Sequence, residues 1–134
     1  MIVAKIKDYF NSMKNISAVY LFGSVAKNKN RKDSDIDIAV LFSEGMDMVE
    51  RFDEKLRIAS ELESIFHTKV DVIDLESADL FFVHKIMEEK ILIVDMEVNR
   101  RVKFEVAQRR NFFDRQYFYK LYHECAMKRL EEME

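Results

Sequence analysis

Residues 19–42 read VYLFGSVAKNKNRKDSDIDIAVLF, and this stretch decides the fold. An apolar run ends at Gly23-Ser24, a polar connection follows, and a second apolar run opens with Asp35-Ile36-Asp37. Both runs are rich in β-branched, aromatic and leucine residues, and each predicts a strand. On a strand, residues two apart point to one side. Asp35 and Asp37 therefore face together, while Ile36 and Ile38 face the other way and can be buried. Two adjacent carboxylates repel, and a bound cation is the usual remedy. Hard oxygen ligands favour Mg²⁺ or Mn²⁺. The chain has two glycines, Gly23 and Gly45, and no proline. In so glycine-poor a chain, a glycine directly before the Ser24 turn answers a local backbone need.

Outward from this core the pattern stays α/β. Ile2, Ile6, Tyr9, Phe10 and Met13 fall at near-helical spacing and predict a short helix over 2–14. Strands are expected at 17–22 and 36–42, with a surface connection at 28–32 and a loop at 43–45. Val49, Phe52, Leu56, Ala59, Leu62 and Phe66 predict a helix over 47–66 with one buried face. Residues 69–75 alternate and are rich in valine and isoleucine, predicting a third strand. Ser77 is the expected cap of a helix running through Glu88, and residues 90–94 form a fourth short strand. Residues 98–130 read as mostly helical, in one long or two consecutive pieces. The order αββαβαβα describes a small mixed sheet of about four strands flanked by helices, with a helical C-terminal tail. The division is a domain over residues 1–96 and an extension over 97–134.

The bulk numbers fit one soluble domain. The 134 residues are 49% apolar and 35% charged, which argues against disorder. No apolar run approaches the roughly 20 residues that span a bilayer, so no membrane association is expected. The N-terminus lacks the apolar core and small-residue cleavage site of a signal peptide. The single cysteine, Cys125, excludes an internal disulfide and fits a reducing, cytoplasmic setting. It reads as a buried small hydrophobe. His67, His84 and His123 are too dispersed for a zinc site and read as structural or surface residues. A net charge of −3 does not mark a general nucleic-acid binder, and direct nucleic-acid contact is not expected.

Gly23-Ser24, a ten-residue spacer and Asp35-Ile36-Asp37 together resemble the minimal nucleotidyltransferase (MNT) group of the DNA polymerase β-like nucleotidyltransferase superfamily. Leu21-Phe22 before the turn and Ser34 to Ile38 also match. Val70-Asp71-Val72-Ile73-Asp74-Leu75 resembles that family's third acidic strand, in which the first aspartate completes a triad. That position is Asp71. Strand parity agrees, because Asp74 lies on the opposite face from Asp71. The resemblance implies the polymerase β-like fold and a metal-dependent transfer of a nucleotide from ATP. Asp35, Asp37 and Asp71 are the implied catalytic carboxylates and the implied ligands of Mg²⁺, with Mn²⁺ as an alternative. Gly23 and Ser24 are the implied phosphate-contacting residues. Many relatives carry Arg-Gly shortly after the Gly-Ser, where this chain has Lys27-Asn28. Lys27 keeps the charge without the bidentate fork.

Arg101-Val102-Lys103-Phe104-Glu105 resembles the tail of MNT antitoxins paired with HEPN toxins in type VII-like toxin–antitoxin systems. This implies a protein adenylyltransferase that moves AMP from ATP to a tyrosine of a HEPN ribonuclease and inactivates it, in a hetero-oligomer with that toxin. HEPN nucleases use Arg, four to six residues, then His. The nearest match, Arg115 to His123, is too long, so this chain reads as the transferase half. Two other readings stay open: an antitoxin that neutralises by binding alone, and a transferase acting on a small molecule or an RNA end. Phe112, Phe113, Tyr117, Phe118, Tyr119 and Tyr122 are too many aromatics for one helical stripe. Some are expected to remain exposed unless another chain covers them, so residues 98–130 are a candidate toxin or self-association surface. Arg100, Arg101, Lys103, Arg109 and Arg110 are candidate contacts for an acidic partner or the nucleotide. The alternatives are an ordinary core for the aromatics and a solvated face for the basic residues.

Overall fold

The computed structural model describes residues 2–26 and 35–133. Its order is α1 (Ile2–Phe10), β1 (Ile16–Phe22), α2 (Gly23–Ala26), β2 (Ile36–Phe42), α3 (Met48–Phe66), β3 (Val70–Asp74), α4 (Leu80–Glu89), β4 (Ile91–Asp95) and α5 (Val98–Glu132). The strands form one sheet in the order β3-β2-β1-β4. β1 pairs antiparallel with both β2 and β4, whereas β2 and β3 run parallel. A parallel pair needs a crossover connection, and α3 supplies it. The α/β sheet expected from the sequence is therefore present.

Strand parity sorts the core into two layers. Val19, Leu21, Ile38, Val40 and Val72 point to one side and pack with Ile6 and Phe10 of α1 and Ile58 and Leu62 of α3. Ala18, Tyr20, Phe22, Ala39 and Leu41 point to the other and pack with Val83 and Ile86 of α4, with Phe104 of α5 beside them. All seven residues of β1 are buried, which is why ISAVYLF shows no polar alternation. β3 lies at the sheet edge and alternates between buried and half-buried positions.

Several expectations shift. The first helix ends at Phe10, four residues early. The cap of α4 is Asp79, which accepts from Phe81 N–H and Phe82 N–H, while the Ser77 hydroxyl donates to Asp74. On α3 the predicted stripe splits: Leu62 is buried and Ala59 and Phe66 pack on the core beside Ile58, whereas Val49, Phe52 and Leu56 are exposed. Near the start of the helix the inward side is taken by Arg51. Arg51 Nε donates to Asp74 at 2.8 Å, and Asp74 is only 6% exposed. An arginine on the inner stripe reads as a surface residue in sequence.

α5 is one continuous helix of 35 residues. Its first turns are tied to the sheet. Glu97 Oε1 accepts from the Ser17 hydroxyl at 3.0 Å and the Ser43 hydroxyl at 2.5 Å. Arg100 donates to the Phe42 carbonyl (2.7 and 3.0 Å) and to Glu76 (2.6 Å). Arg101 donates to Asp95 (2.9 Å) and Glu105 (2.7 Å). Lys90 pairs with Glu105 as well, and burial pushes the neighbouring Tyr20 hydroxyl up to about 12. Arg100 and Arg101 are thus committed to the chain's own carboxylates rather than to a partner. Cys125 is exposed, not buried, because α5 has passed beyond the sheet at that point. His67 caps α3 in a left-handed conformation, and His84 stacks on Phe112 with ring centroids 3.6 Å apart, so both are structural.

Asp74 accepts from Arg51, from Ser77 and from the Glu76 N–H (3.1 Å). Asp74→Ala strands all three donors and is expected to lower the unfolding free energy by about 3 kcal/mol. Urea denaturation checks the value, and nucleotide binding by the folded fraction should be unchanged.

Candidate active site

The parallel β2–β3 ladder sets Asp37 directly beside Asp71, as Cα partners in register. Each lies between residues buried on the α3 side, Ile36 and Ile38 in one strand and Val70 and Val72 in the other. Alternation therefore aims both carboxylates toward the α4 side. Asp35 immediately precedes β2 and is half-buried. Asp37 is pushed up to about 6, first by burial, then by the charges of Asp71 and Asp35 and a hydrogen bond shared with Asp71. Lys69 Nζ, 3.8 Å from Asp71 Oδ1, offsets part of this charge.

Gly23 closes the other side. It follows Phe22, whose register partner is Asp37, and opens the single turn of α2. Its φ is +77°, a region that favours glycine. A Cβ built there would lie 2.2 Å from Asp37 Oδ2, inside any tolerable contact. Glycine is needed both for the turn and for the carboxylate beside it. The side chain of Ser24 and all of Lys27 lie outside the described residues, as do Asn28, Arg31 and Lys32.

These groups open into a cleft of ≈ 750 Å³ along the β3 edge. Its walls include Lys55, Leu56 and Glu63 of α3 and Phe82, Lys85 and Ile86 of α4. The sequence reading did not single out Lys55, Lys69 or Lys85. Lys69 was legible, since it precedes Asp71 by two on one strand and must share its side. Lys55 and Lys85 belong to helices whose approach to the site is a tertiary matter.

The donor set fits a hard divalent cation. It consists of carboxylate oxygens crowded at one edge of the cleft, where burial first and the charges of Asp71 and Asp35 next push Asp37 up, a cost that a bound cation lowers. Among the described residues no three acidic, His or Cys side chains close into a ready-made cage.

Folded Asp37 binds its proton more tightly than the unfolded chain does. Stability is therefore expected to fall as pH rises from 3.8 toward about 6. The melting temperature of Asp37→Asn should not show this component. Added Mg²⁺ should raise the melting temperature at pH 7 for the wild type and not for the variant. Gly23→Ala is expected to destabilise the fold by about 1–2 kcal/mol from backbone strain alone, with further loss from the carboxylate clash, measured by the same melts.

The geometry can be set beside known proteins. The family described as "Polymerase beta, Nucleotidyltransferase" matches residues 4–99. The protein adenylyltransferase MntA of Shewanella oneidensis is 32% identical over 79 residues, covering 59% of this chain and 54% of its own length. This chain thus aligns with about half of that relative. A Methanocaldococcus jannaschii protein named for a proposed protein adenylyltransferase activity is 34% identical over 93 residues, 69% of this chain and 91% of its own. Among solved structures, the fold is similar to a toxin–antitoxin structure with AMP-PNP (TM-score 0.74, 23% identity, 95% of this chain and 99% of that one). It is also similar to a chain from the complex of tri-AMPylated Shewanella oneidensis HEPN toxin with MNT antitoxin (TM-score 0.67, 22% identity, 93% and 95%). Gly23, Asp37 and Asp71 all fall within the matched segment. The chain belongs to the polymerase β nucleotidyltransferase family.

Proposed function

We propose that this protein is the antitoxin of a type VII-like HEPN/MNT pair and that it transfers AMP from ATP to a tyrosine of its HEPN toxin. The observation that carries the reading is the Asp37–Asp71 pair held against Gly23 in an open cleft. It leaves room for a phosphate chain beside carboxylates that need a cation. The names of the relatives point to the same reaction, and a solved complex of similar fold pairs an MNT antitoxin with an AMPylated HEPN toxin. Residues 1–96 form the catalytic unit, and residues 97–134 form an extension that serves the partner.

In this reading Asp35, Asp37 and Asp71 hold Mg²⁺, which supplies charge neutralisation at the triphosphate when bound. Gly23 lets the backbone approach the triphosphate, Ser24 contributes a hydroxyl, and Lys27 contributes charge. The tyrosine oxygen attacks the α-phosphorus. One phosphorus–oxygen bond forms, the bond to the β-phosphate bridge breaks, and pyrophosphate leaves. The phenolic proton, held at an ordinary pKa of about 10, passes to Asp71. Lys69 Nζ lies 3.8 Å from Asp71 Oδ1 and places a positive charge beside it. The reaction belongs to the cytoplasm, where ATP is available.

The purified chain, α-labelled ATP, Mg²⁺ and the HEPN-domain protein of the same genome make the test. Label is expected on the HEPN protein, and a Tyr→Phe change at its acceptor should abolish it. Asp35→Ala/Asp37→Ala should give no label, and Asp71→Ala should reduce the rate by about 100-fold or more. Label on an RNA end or small molecule without any protein acceptor would replace this reading, as would full protection of cells by the double variant.

A further inference from the structure

The catalytic cleft has a direction. Phe22 is the register partner of Asp37, and Asp37 is the register partner of Asp71. The cleft therefore runs across the strands, from the Gly23 turn over Asp37 and Asp71 to the outer edge of β3. In-line displacement puts the attacking and leaving oxygens on opposite sides of the phosphorus. With the phosphates at the Gly23 turn, pyrophosphate departs toward that turn, and the acceptor hydroxyl arrives over Asp71 and the β3 edge. β3 is the last strand of the sheet on this side, and among the described residues no strand lies beyond it.

This approach is lined with positive charge. Lys69 leads into β3, 3.8 Å from Asp71. Lys55 comes from α3, in the layer on the far side of the sheet, and lines the same cleft around the edge of the strand. Lys85 comes from α4, in the near layer. Lys55 is half-buried. One turn away along α3 its neighbours are Arg51, Phe52, Ile58 and Ala59, so its own helix offers it no carboxylate. Its Nζ instead lies 5.3 Å from the centroid of the Phe52 ring. That contact gives the exposed Phe52 a task, which is to hold an ammonium at the rim of the cleft. On α4 the Glu88 carboxylate one turn from Lys85 is taken by His84. Glu63 and Glu89 also line the cleft. Glu63 is turned to the strand, where it accepts from the Val70 N–H at 3.2 Å.

We infer that Lys55, Lys69 and Lys85 are specificity-determining residues for the acceptor, and that they select a protein segment with carboxylate side chains beside the hydroxyl to be modified. This rests on the proposed function for the reaction and extends it to the sequence chemistry of the acceptor. A tyrosine with a pKa of about 10 is neutral at pH 7 and offers no charge to recognise. Neighbouring carboxylates do. Their attraction to the lysines steers the encounter and fixes the register of the segment, while a basic segment is repelled. The nucleotide is the competing occupant, being an anion as well. The acceptor is favoured because Lys55 and Lys69 stand across Asp37 and Asp71 from the Gly23 turn, on the side opposite the leaving group.

Lys55→Gln/Lys85→Gln removes two of the charges and leaves Lys69 in place beside Asp71. The expected result is a KM for the HEPN-domain protein raised about 10-fold. The kcat extrapolated to saturating partner and the affinity for AMP-PNP with Mg²⁺, read by calorimetry, should be unchanged. The wild-type KM should rise steeply with added salt and that of the double variant less so. Lys55→Arg/Lys85→Arg keeps the charges and should keep the wild-type KM. Mass spectrometry of the labelled HEPN protein should place Asp or Glu next to the modified tyrosine. Changing those acidic residues to Lys should raise the KM of the wild type, and Lys55→Glu/Lys85→Glu should bring it back down. An unchanged KM in the Gln double variant overturns the assignment and leaves the adenylyltransferase reading intact. Weaker AMP-PNP binding in that variant gives the lysines to the nucleotide and overturns it too. A wild type that labels no protein overturns both.

Discussion

Two carboxylates, Asp37 and Asp71, sit side by side across a parallel strand pair, and much of the molecule is arranged around that repulsion. A parallel pair cannot be closed by a hairpin, so α3 must cross over before Asp71 can reach Asp37. Gly23 must be glycine because Asp37 occupies the space a Cβ would take. Lys69 stands where it lowers the cost of the pair.

The two faces of β3 show how finely this is partitioned. Asp71 and Asp74 are three residues apart on one strand and face opposite layers. Asp74 is buried, accepts from Arg51, Ser77 and the Glu76 N–H, and is a structural anchor for α3. Asp71 is open to the cleft with like charge beside it. Identical side chains become a buried anchor or an open carboxylate according to whether their lone pairs are already taken. The same distinction divides α5. Its proximal arginines are spent on Phe42, Glu76, Asp95 and Glu105, while its distal Phe118 and Tyr122 stay largely exposed.

Most of the fold was legible because its signals are local. The strands at 16–22, 36–42 and 70–74 announce themselves through β-branched runs, and the parity of Asp35, Asp37 and Asp71 follows from strand geometry alone. The misread features are those in which a distant residue changes the meaning of a local one. The buried stripe of α3 includes an arginine only because Asp74 waits beneath it. Asp79 rather than Ser77 caps α4 because Ser77 is drawn to Asp74. Cys125 looked like a core residue because the sequence does not say where the core ends.

By itself, the sequence determined the strand–turn–strand unit, the glycine at its turn and the sidedness of its carboxylates, since a period of two and a positive φ are properties of the local backbone. Only the tertiary structure decided that Asp71 lies next to Asp37, that Lys55 and Lys85 flank the cleft, and that α5 runs on past the sheet with its distal residues exposed. Those are through-space relations between segments tens of residues apart, and they exist only once the crossover helix and α5 have been packed onto the sheet.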